Sequence, residues 1–188
     1  TCVREDFDER YQLPDKYIFY PAQFWWHKNH RNLLRAVAAL LPELPDLKLV
    51  LSGGRQNAYE AVVALVKELG LEQQVQFAGY VADEDMPEFY RRARALVMPT
   101  YYGPTNVPPL EAFTVGCPVA ISGIYAMPEQ AGGAALHFDP DSVADIAACI
   151  RQLWTDDQLC RELAKKGKER AAQWGQEQFN ACFRQVIA

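Results

Sequence analysis

Residues 95–121 read ALVMPTYYGPTNVPPLEAFTVGCPVAI, and this stretch decides the fold. The apolar run 95–98 suits a buried strand. A Gly/Pro/Asn turn follows and opens into a short helix, 109–115, that stops at Gly116, a natural C-cap. A second apolar run, 118–121, starts just after the cap. Strand, turn, helix and strand in such close succession form a βαβ unit, which requires a parallel sheet. The same turn points backbone N–H groups at a helix N-terminus, where a phosphate or diphosphate is held without a metal. One acid, Glu111, sits in that helix between Leu110 and Ala112. The chain reads as a nucleotide binder.

Outward from this unit the pattern repeats. Strands are expected at 17–20, 47–51, 75–77 and 134–138. Helices are expected at 29–41 and 58–69, where Leu33, Val37, Leu40 and Leu41, and then Val62, Leu65, Val66 and Leu69, form single apolar stripes. A helix over 83–93 starts at an Asp N-cap. Three helices, 143–154, 158–174 and 176–186, close the chain. The alternation predicts an α/β fold, a Rossmann-like three-layer domain with a parallel sheet and C-terminal helices. Residues 1–16 read as an entry segment and 17–188 as one domain. Ligands of open α/β sheets sit beyond the carboxyl ends of the strands, where strand order reverses. The loops that matter are therefore 21–30, 52–57, 78–83 and 99–108.

Composition narrows the function. About half of the 188 residues are apolar, enough for one substantial core. A net charge of −5 argues against nucleic acid as a partner, because phosphate-backbone recognition needs a basic stripe. The five cysteines, Cys2, Cys117, Cys149, Cys160 and Cys182, are scattered without C-x-x-C, so reduced thiols and a cytoplasmic setting are expected rather than a disulfide framework or zinc site. No segment approaches the roughly 20 apolar residues of a transmembrane helix. The start, TCVREDFDER, lacks an initiator Met and a signal-peptide core, and reads as the interior of a longer protein. There is no G-x-G-x-x-G after the first strand and no P-loop, which disfavours NAD and P-loop nucleotide chemistry. No G-x-S-x-G suggests a hydrolase.

Residues 101–118 resemble the central segment of the donor-binding domain of family 4 glycosyltransferases, retaining enzymes of the GT-B fold. That family's pattern is E-G-F-G-L-P-x-L-E-A followed by G-x-P-V-I. Glu111 and Ala112 match its second acid and alanine, and Gly116-Cys117-Pro118-Val119-Ala120 its next strand. Gly103 stands in place of the first acid, and Pro104-Thr105-Asn106-Val107 in place of Gly-Phe-Gly-Leu. The resemblance runs from about Tyr17 to Phe138-Asp139-Pro140-Asp141, which is similar to the family's L-V-x-P-x-D.

The resemblance assigns roles. In the loop 21–30 the family carries G-R-x-x-x-x-K, both basic residues gripping a diphosphate. Lys28 matches the lysine and is the candidate catalytic cation; Gln23 stands where the arginine would be. Ser52-Gly53-Gly54-Arg55 resembles a short turn that lets backbone approach the ligand, or is an ordinary βα turn, with Arg55 as a guess at a replacement cation. Val75-Gln76-Phe77-Ala78-Gly79-Tyr80-Val81 looks like V-x-F-x-G-x-V, implying that Gly79, Tyr80 and Val81 edge the nucleobase. Thr105, Asn106 and Val107 would offer backbone N–H groups to the distal phosphate or sugar, and Glu111 would hold the ribose hydroxyls. As plain alternatives, Lys28 is a solvated helix-start residue and Glu111 an acid complementing the helix dipole. His27 and His30 are spaced i, i+3 without a third ligand and read as local hydrogen-bonding groups. Trp25 and Trp26 read as a domain-interface surface or a sugar-stacking wall.

The implied activity is transfer of a hexose, mannose or glucose, from a nucleoside-diphosphate sugar to a glycan or lipid-linked acceptor, with no metal and no other cofactor. The acceptor-binding N-terminal half would lie outside this chain. Peripheral attachment at the inner membrane face through the full-length protein stays open. A non-catalytic nucleotide-sugar-binding module, or a Rossmann-like domain for another phosphate ligand, are the other readings.

Overall fold

A computed structural model describes residues 4–103 and 106–173. Six strands, β1 (Ile18–Pro21), β2 (Leu49–Ser52), β3 (Val75–Gly79), β4 (Ala95–Met98), β5 (Val119–Ser122) and β6 (Ala135–Phe138), form one parallel sheet in the order β3-β2-β1-β4-β5-β6. Each short apolar run became a strand because the sheet is covered on both faces: every residue of β2, β4 and β5 is buried. Register follows, with Phe19 opposite Val50 on one side and Leu96 on the other.

Helices α1 (Phe7–Tyr11), α2 (His30–Leu40), α3 (Tyr59–Glu68), α4 (Met86–Arg92), α5 (Val107–Val115), α6 (Met127–Ala131), α7 (Val143–Thr155) and α8 (Asp157–Ala172) cover the sheet. From β1 the chain winds one way through α2 and α3 to β3, then crosses to β4 and winds the other way through α5 and α6. Right-handed crossovers put these two sets on opposite faces. α7 returns to pack on α2, and α8 packs on α5. The strand order reverses between β1 and β4, so the loops after these two strands flank the switch point.

The segment ahead of β1 is part of the core packing. Phe7 and Tyr11 of α1 are buried with their rings 5.6 Å and 4.8 Å from Phe89 of α4. The Tyr11 hydroxyl donates to buried Asp85 at 2.8 Å. This contact corrects the expected start of the helix over 83–93. α4 begins at Met86, with Pro87 in its first turn, and no aspartate side chain caps it. Asp85, at the cap position, has its carboxylate engaged by Tyr11 instead. α1 and α6 have five residues each, too few for helical periodicity to show in sequence. Gly116 adopts φ +77 and closes α5 as expected. The helix expected at 176–186 lies outside the described residues.

Candidate functional site

The loops after β1 and β4 are stitched to each other before any ligand arrives. Asn29, in the left-handed region at φ +56, ends a single 3-10 turn, Trp26–Lys28, and opens α2. Its buried Nδ2 donates to the Pro99 carbonyl at 3.0 Å and to the Pro140 carbonyl at 2.9 Å. The His27 carbonyl accepts the Tyr101 N–H at 2.8 Å and the Thr100 hydroxyl at 3.1 Å. Ser122 Oγ donates to the Thr100 carbonyl at 2.8 Å. Asn32 bonds the Tyr101 hydroxyl, which donates in turn to Asp141.

Between these loops lies a cavity of about 370 Å³ lined by Lys28, Gln23, Trp25, His27 and Asn106, among others. Gln23, Pro21 and Ala22 also border a second cavity of about 190 Å³, which Gly53, Gly54, Tyr80 and Val81 complete. Asp83 and Met86 join that one to a third, about 120 Å³, lined by Glu111 and Tyr90. The three share walls in sequence, the first two beyond the carboxyl ends of the strands and the third between α4 and α5. An elongated molecule with a charged end fits such a trough.

Lys28 is half-buried, and burial pulls its ammonium below the usual lysine range. No carboxylate pairs with it among the described residues; the Tyr20 hydroxyl bonds its carbonyl, not its amine. A partly desolvated cation without a counter-charge favours an anion. Gln23 is exposed, and its Oε1 accepts from Trp25 Nε1 at 3.0 Å and Gln56 Nε2 at 3.3 Å. Gly53 is required sterically: at φ +138 a Cβ would fall on the Ala22 carbonyl and 2.8 Å from the Gln23 nitrogen. Its N–H donates to the Gly79 carbonyl at 2.8 Å, drawing the first three loops together. Gly79 takes φ +69, Tyr80 is 76% exposed, and Val81 is buried beneath it.

Glu111 is exposed on α5 and accepts the buried Tyr90 hydroxyl at 2.7 Å. That bond engages one carboxylate oxygen, the other has no donor among the described residues, and Glu111 lines the third cavity. Arg55 stands apart: it is exposed, its guanidinium lies 4.6 Å over the Tyr59 ring, and it borders none of the three cavities. Val107 is 59% exposed and also borders none. Thr105 lies outside the described residues.

The amide supply at α5 is smaller than the turn suggests. Of the helix's first three residues, Pro108 and Pro109 have no N–H, which leaves Val107. The Asn106 N–H is held by Gln130 Oε1 at 3.3 Å, and Gln130 Nε2 donates back to the Asn106 carbonyl at 2.7 Å. Gln130 and Asp83 were not legible as site residues; Tyr90 was hidden in a helical apolar stripe. At Gly103, where the resembled family has an acid, a Cβ would fall on the Asn106 side-chain amide, which donates to the Gly103 carbonyl at 3.1 Å.

His30 is stacked 4.6 Å from Phe24 and lies 4.9 Å from Tyr20, while the His27 ring meets Tyr102. The two imidazoles serve different packings. Among the described residues no group of three His, Cys, Asp or Glu side chains is placed to hold a metal ion, and no helix is long and apolar enough to cross a membrane. Cys117, Cys149 and Cys160 are buried free thiols, with burial raising Cys117 to about 12 and Cys149 to about 11.

The model of the family described as "Glycosyl transferases group 1" matches residues 3–170. The chain is 35% identical over 182 residues to the O-antigen chain mannosyltransferase B of Escherichia coli, covering 95% of this chain and 47% of that one. It is 29% identical over 179 residues to the mannosylfructose-phosphate synthase of Agrobacterium fabrum, covering 90% and 39%. Among solved structures, the sucrose-phosphate synthase of Thermosynechococcus elongatus superimposes with a TM-score of 0.82 at 26% identity, over 98% of this chain and 49% of that one. The C-terminal domain of a group 1 family glycosyl transferase from Francisella tularensis superimposes with a TM-score of 0.75 at 22% identity, over 91% and 93%. The chain spans about half the length, or less, of the curated relatives it matches. With a trough at the switch point of its parallel sheet and a family match over nearly its whole length, the chain belongs to the group 1 glycosyl transferases and has the fold of one half of a GT-B glycosyltransferase.

Proposed function

We propose that this chain is the donor-binding half of a retaining glycosyltransferase. It holds a nucleoside-diphosphate sugar and passes the hexose to a glycan or lipid-linked acceptor carried by a second half. The observation that carries the reading is the half-buried Lys28 ammonium, without a carboxylate partner among the described residues, on a run of cavities that Glu111 also borders. The diphosphate lies against Lys28, the ribose hydroxyls on Glu111, and the base along the edge formed by Gly79, Tyr80 and Val81. Mannose is the hexose favoured by the mannosyltransferase relative.

In this mechanism the protein's task is to receive charge. As the glycosidic bond breaks, negative charge grows on the leaving diphosphate, where Lys28 and the α5 dipole already point. Preorganised donors of this kind contribute roughly 3 kcal/mol each to the transition state. With Lys28 and the dipole taking the charge, the reaction runs without a divalent metal. The work takes place on the cytoplasmic side, and any attachment to the membrane's inner face is made through the full-length protein. This half alone transfers nothing, because one wall of a cleft neither excludes water nor positions an acceptor.

Calorimetry with nucleoside diphosphates, with and without magnesium, tests the reading. Metal-independent binding that drops by more than about 1 kcal/mol in Glu111→Ala supports it. Binding no tighter than inorganic phosphate overturns it. A second reading, a nucleotide-sugar-binding module without transferase activity, is favoured by the occupation of the Gly103 acid position by Asn106. It predicts normal donor binding and no transfer when the acceptor half is restored.

A further inference from the structure

We propose that Trp25 and Gln56 are positioning residues that turn the Gln23 side chain into a pure hydrogen-bond donor, set against a phosphate group that passes between the first and second cavities. The inference rests on the donor-site reading above and names what orients the contact where the two cavities meet. Pro21, Ala22 and Gln23 are the residues that border both. Of the three, Gln23 has the polar side chain. A ligand that extends from Lys28 in the first cavity to Gly53 in the second therefore passes its amide.

Which end of that amide the ligand meets follows from its neighbours. An indole N–H only donates, so the Trp25 Nε1 contact at 3.0 Å requires that the group facing it be the oxygen, Oε1. Gln56 Nε2 donates to the same oxygen at 3.3 Å. A carbonyl oxygen has two lone pairs, and both are now taken. What remains is Nε2 with two hydrogens, which no acceptor engages among the described residues. The partners are themselves anchored. Trp25 and Gln56 are half-buried, and the loops that carry them are laced through buried Phe24, whose N–H donates to the Gly54 carbonyl at 3.1 Å and whose carbonyl accepts the Ala58 N–H at 2.9 Å. The Lys28 N–H donates to the Trp25 carbonyl at 3.0 Å, so one turn carries both the indole and the ammonium.

A group that only donates selects a ligand that accepts. A phosphate presents acceptor oxygens on every side, whereas a sugar hydroxyl or a base edge mixes donors with acceptors. Lys28 supplies the charge and Gln23 two directed N–H groups without charge. A glutamine with no partner samples many rotamers and gives that freedom up on binding; one already held by two bonds gives up less. Without the indole N–H and Gln56, the amide is free to turn its oxygen toward the phosphate, an acceptor facing an acceptor.

The test is a double-mutant cycle read by calorimetric titration with pyrophosphate, GDP and UDP. The proteins are the chain, Gln23→Leu, Trp25→Phe, Gln56→Leu and the double variant Trp25→Phe/Gln23→Leu. Trp25→Phe keeps an aromatic ring and removes the indole N–H. The expected result is that Gln23→Leu weakens pyrophosphate binding about 10-fold, and Trp25→Phe and Gln56→Leu about 3-fold each. In the Gln23→Leu background, Trp25→Phe should cost nothing further, because the group it orients is already gone. A tryptophan that merely supports the loop would weaken binding by the same factor in both backgrounds. That equal loss, or any of the three single variants binding like the parent, overturns the proposal and leaves the donor site standing where GDP or UDP binds tighter than pyrophosphate. GDP and UDP that bind no tighter than pyrophosphate overturn the donor-site reading itself, and a parent that binds none of the three overturns both.

Discussion

Lowering the pH destabilises this domain through one buried imidazole, His30. The ring is 2% exposed, lies between Phe24 and Tyr20, and makes no hydrogen bond of normal geometry through either nitrogen among the described residues. Burial drives its pKa from 6.5 to about 3; the nearby Ala22 backbone opposes this, and the positive Lys28 adds to it. The unfolded chain takes up a proton below about pH 6.5 that the folded chain refuses until about pH 3. Stability is therefore full above the unfolded value and falls as the pH drops through this window. One pKa unit is about 1.4 kcal/mol, so by about pH 5 the cost is about 2 kcal/mol, or roughly 4–8 °C in melting temperature for a domain of this size. His137, half-buried, and His27 are both lowered by burial and push the same way, so the parent alone does not isolate the effect. His30→Phe keeps a ring in the stack and removes the titrating group. Thermal melts at about pH 7.5 and about pH 5 should show the variant losing about 2 kcal/mol less than the parent between the two. Equal losses in the two proteins would refute the argument, as would a variant far less stable than the parent at the higher pH.

Three further outcomes are expected. Gly53→Ala strains a φ of +138 and drives a Cβ into the Ala22 backbone, so urea denaturation should show a loss of about 2 kcal/mol or more; a neutral result would mean the loop yields freely. Lys28→Met should weaken nucleoside diphosphate binding by about 2 kcal/mol and leave binding of the free nucleoside unchanged, and an equal effect on both ligands would place the ammonium elsewhere. Gln130→Leu leaves both main-chain groups of Asn106 without their partner, so it should cost about 1–3 kcal/mol in stability and loosen diphosphate binding several-fold, with Gln130→Glu restoring only the N–H contact; unchanged affinity in the leucine variant would detach Gln130 from the site.

Much of the sheet was readable because strands buried on both faces are short apolar runs, as residues 49–51 and Ala95–Met98 are. Gly116 announced the end of α5 because few other residues take φ +77 cheaply. Contacts between distant residues left no trace in sequence: nothing around Asp85 signals that Tyr11, 74 positions away, will take its carboxylate. Lys28, Gln23, Gly53, Gly54, Tyr80, Val81, Asn106 and Glu111 all border the trough, since strand-end loops converge by topology alone. Arg55 does not, because a neighbouring aromatic face attracts a guanidinium as well as an anion does. The two prolines that thin out the amides of α5 stood in plain view, but a Gly/Pro turn before a helix suggests an anion cradle before its donors are counted.

Asn29 carries a consequence for motion. With both hydrogens of one side-chain amide committed to carbonyls 70 and 111 positions away, the connections leaving β1, β4 and β6 are a single mechanical block. No one of them swings over a ligand without breaking a buried contact of the other two. Under the proposed donor-binding role, a cleft built on this half would close by moving the whole block as a rigid body about an outside hinge. This wall would enter that movement already ordered, so little conformational entropy would be lost on its side.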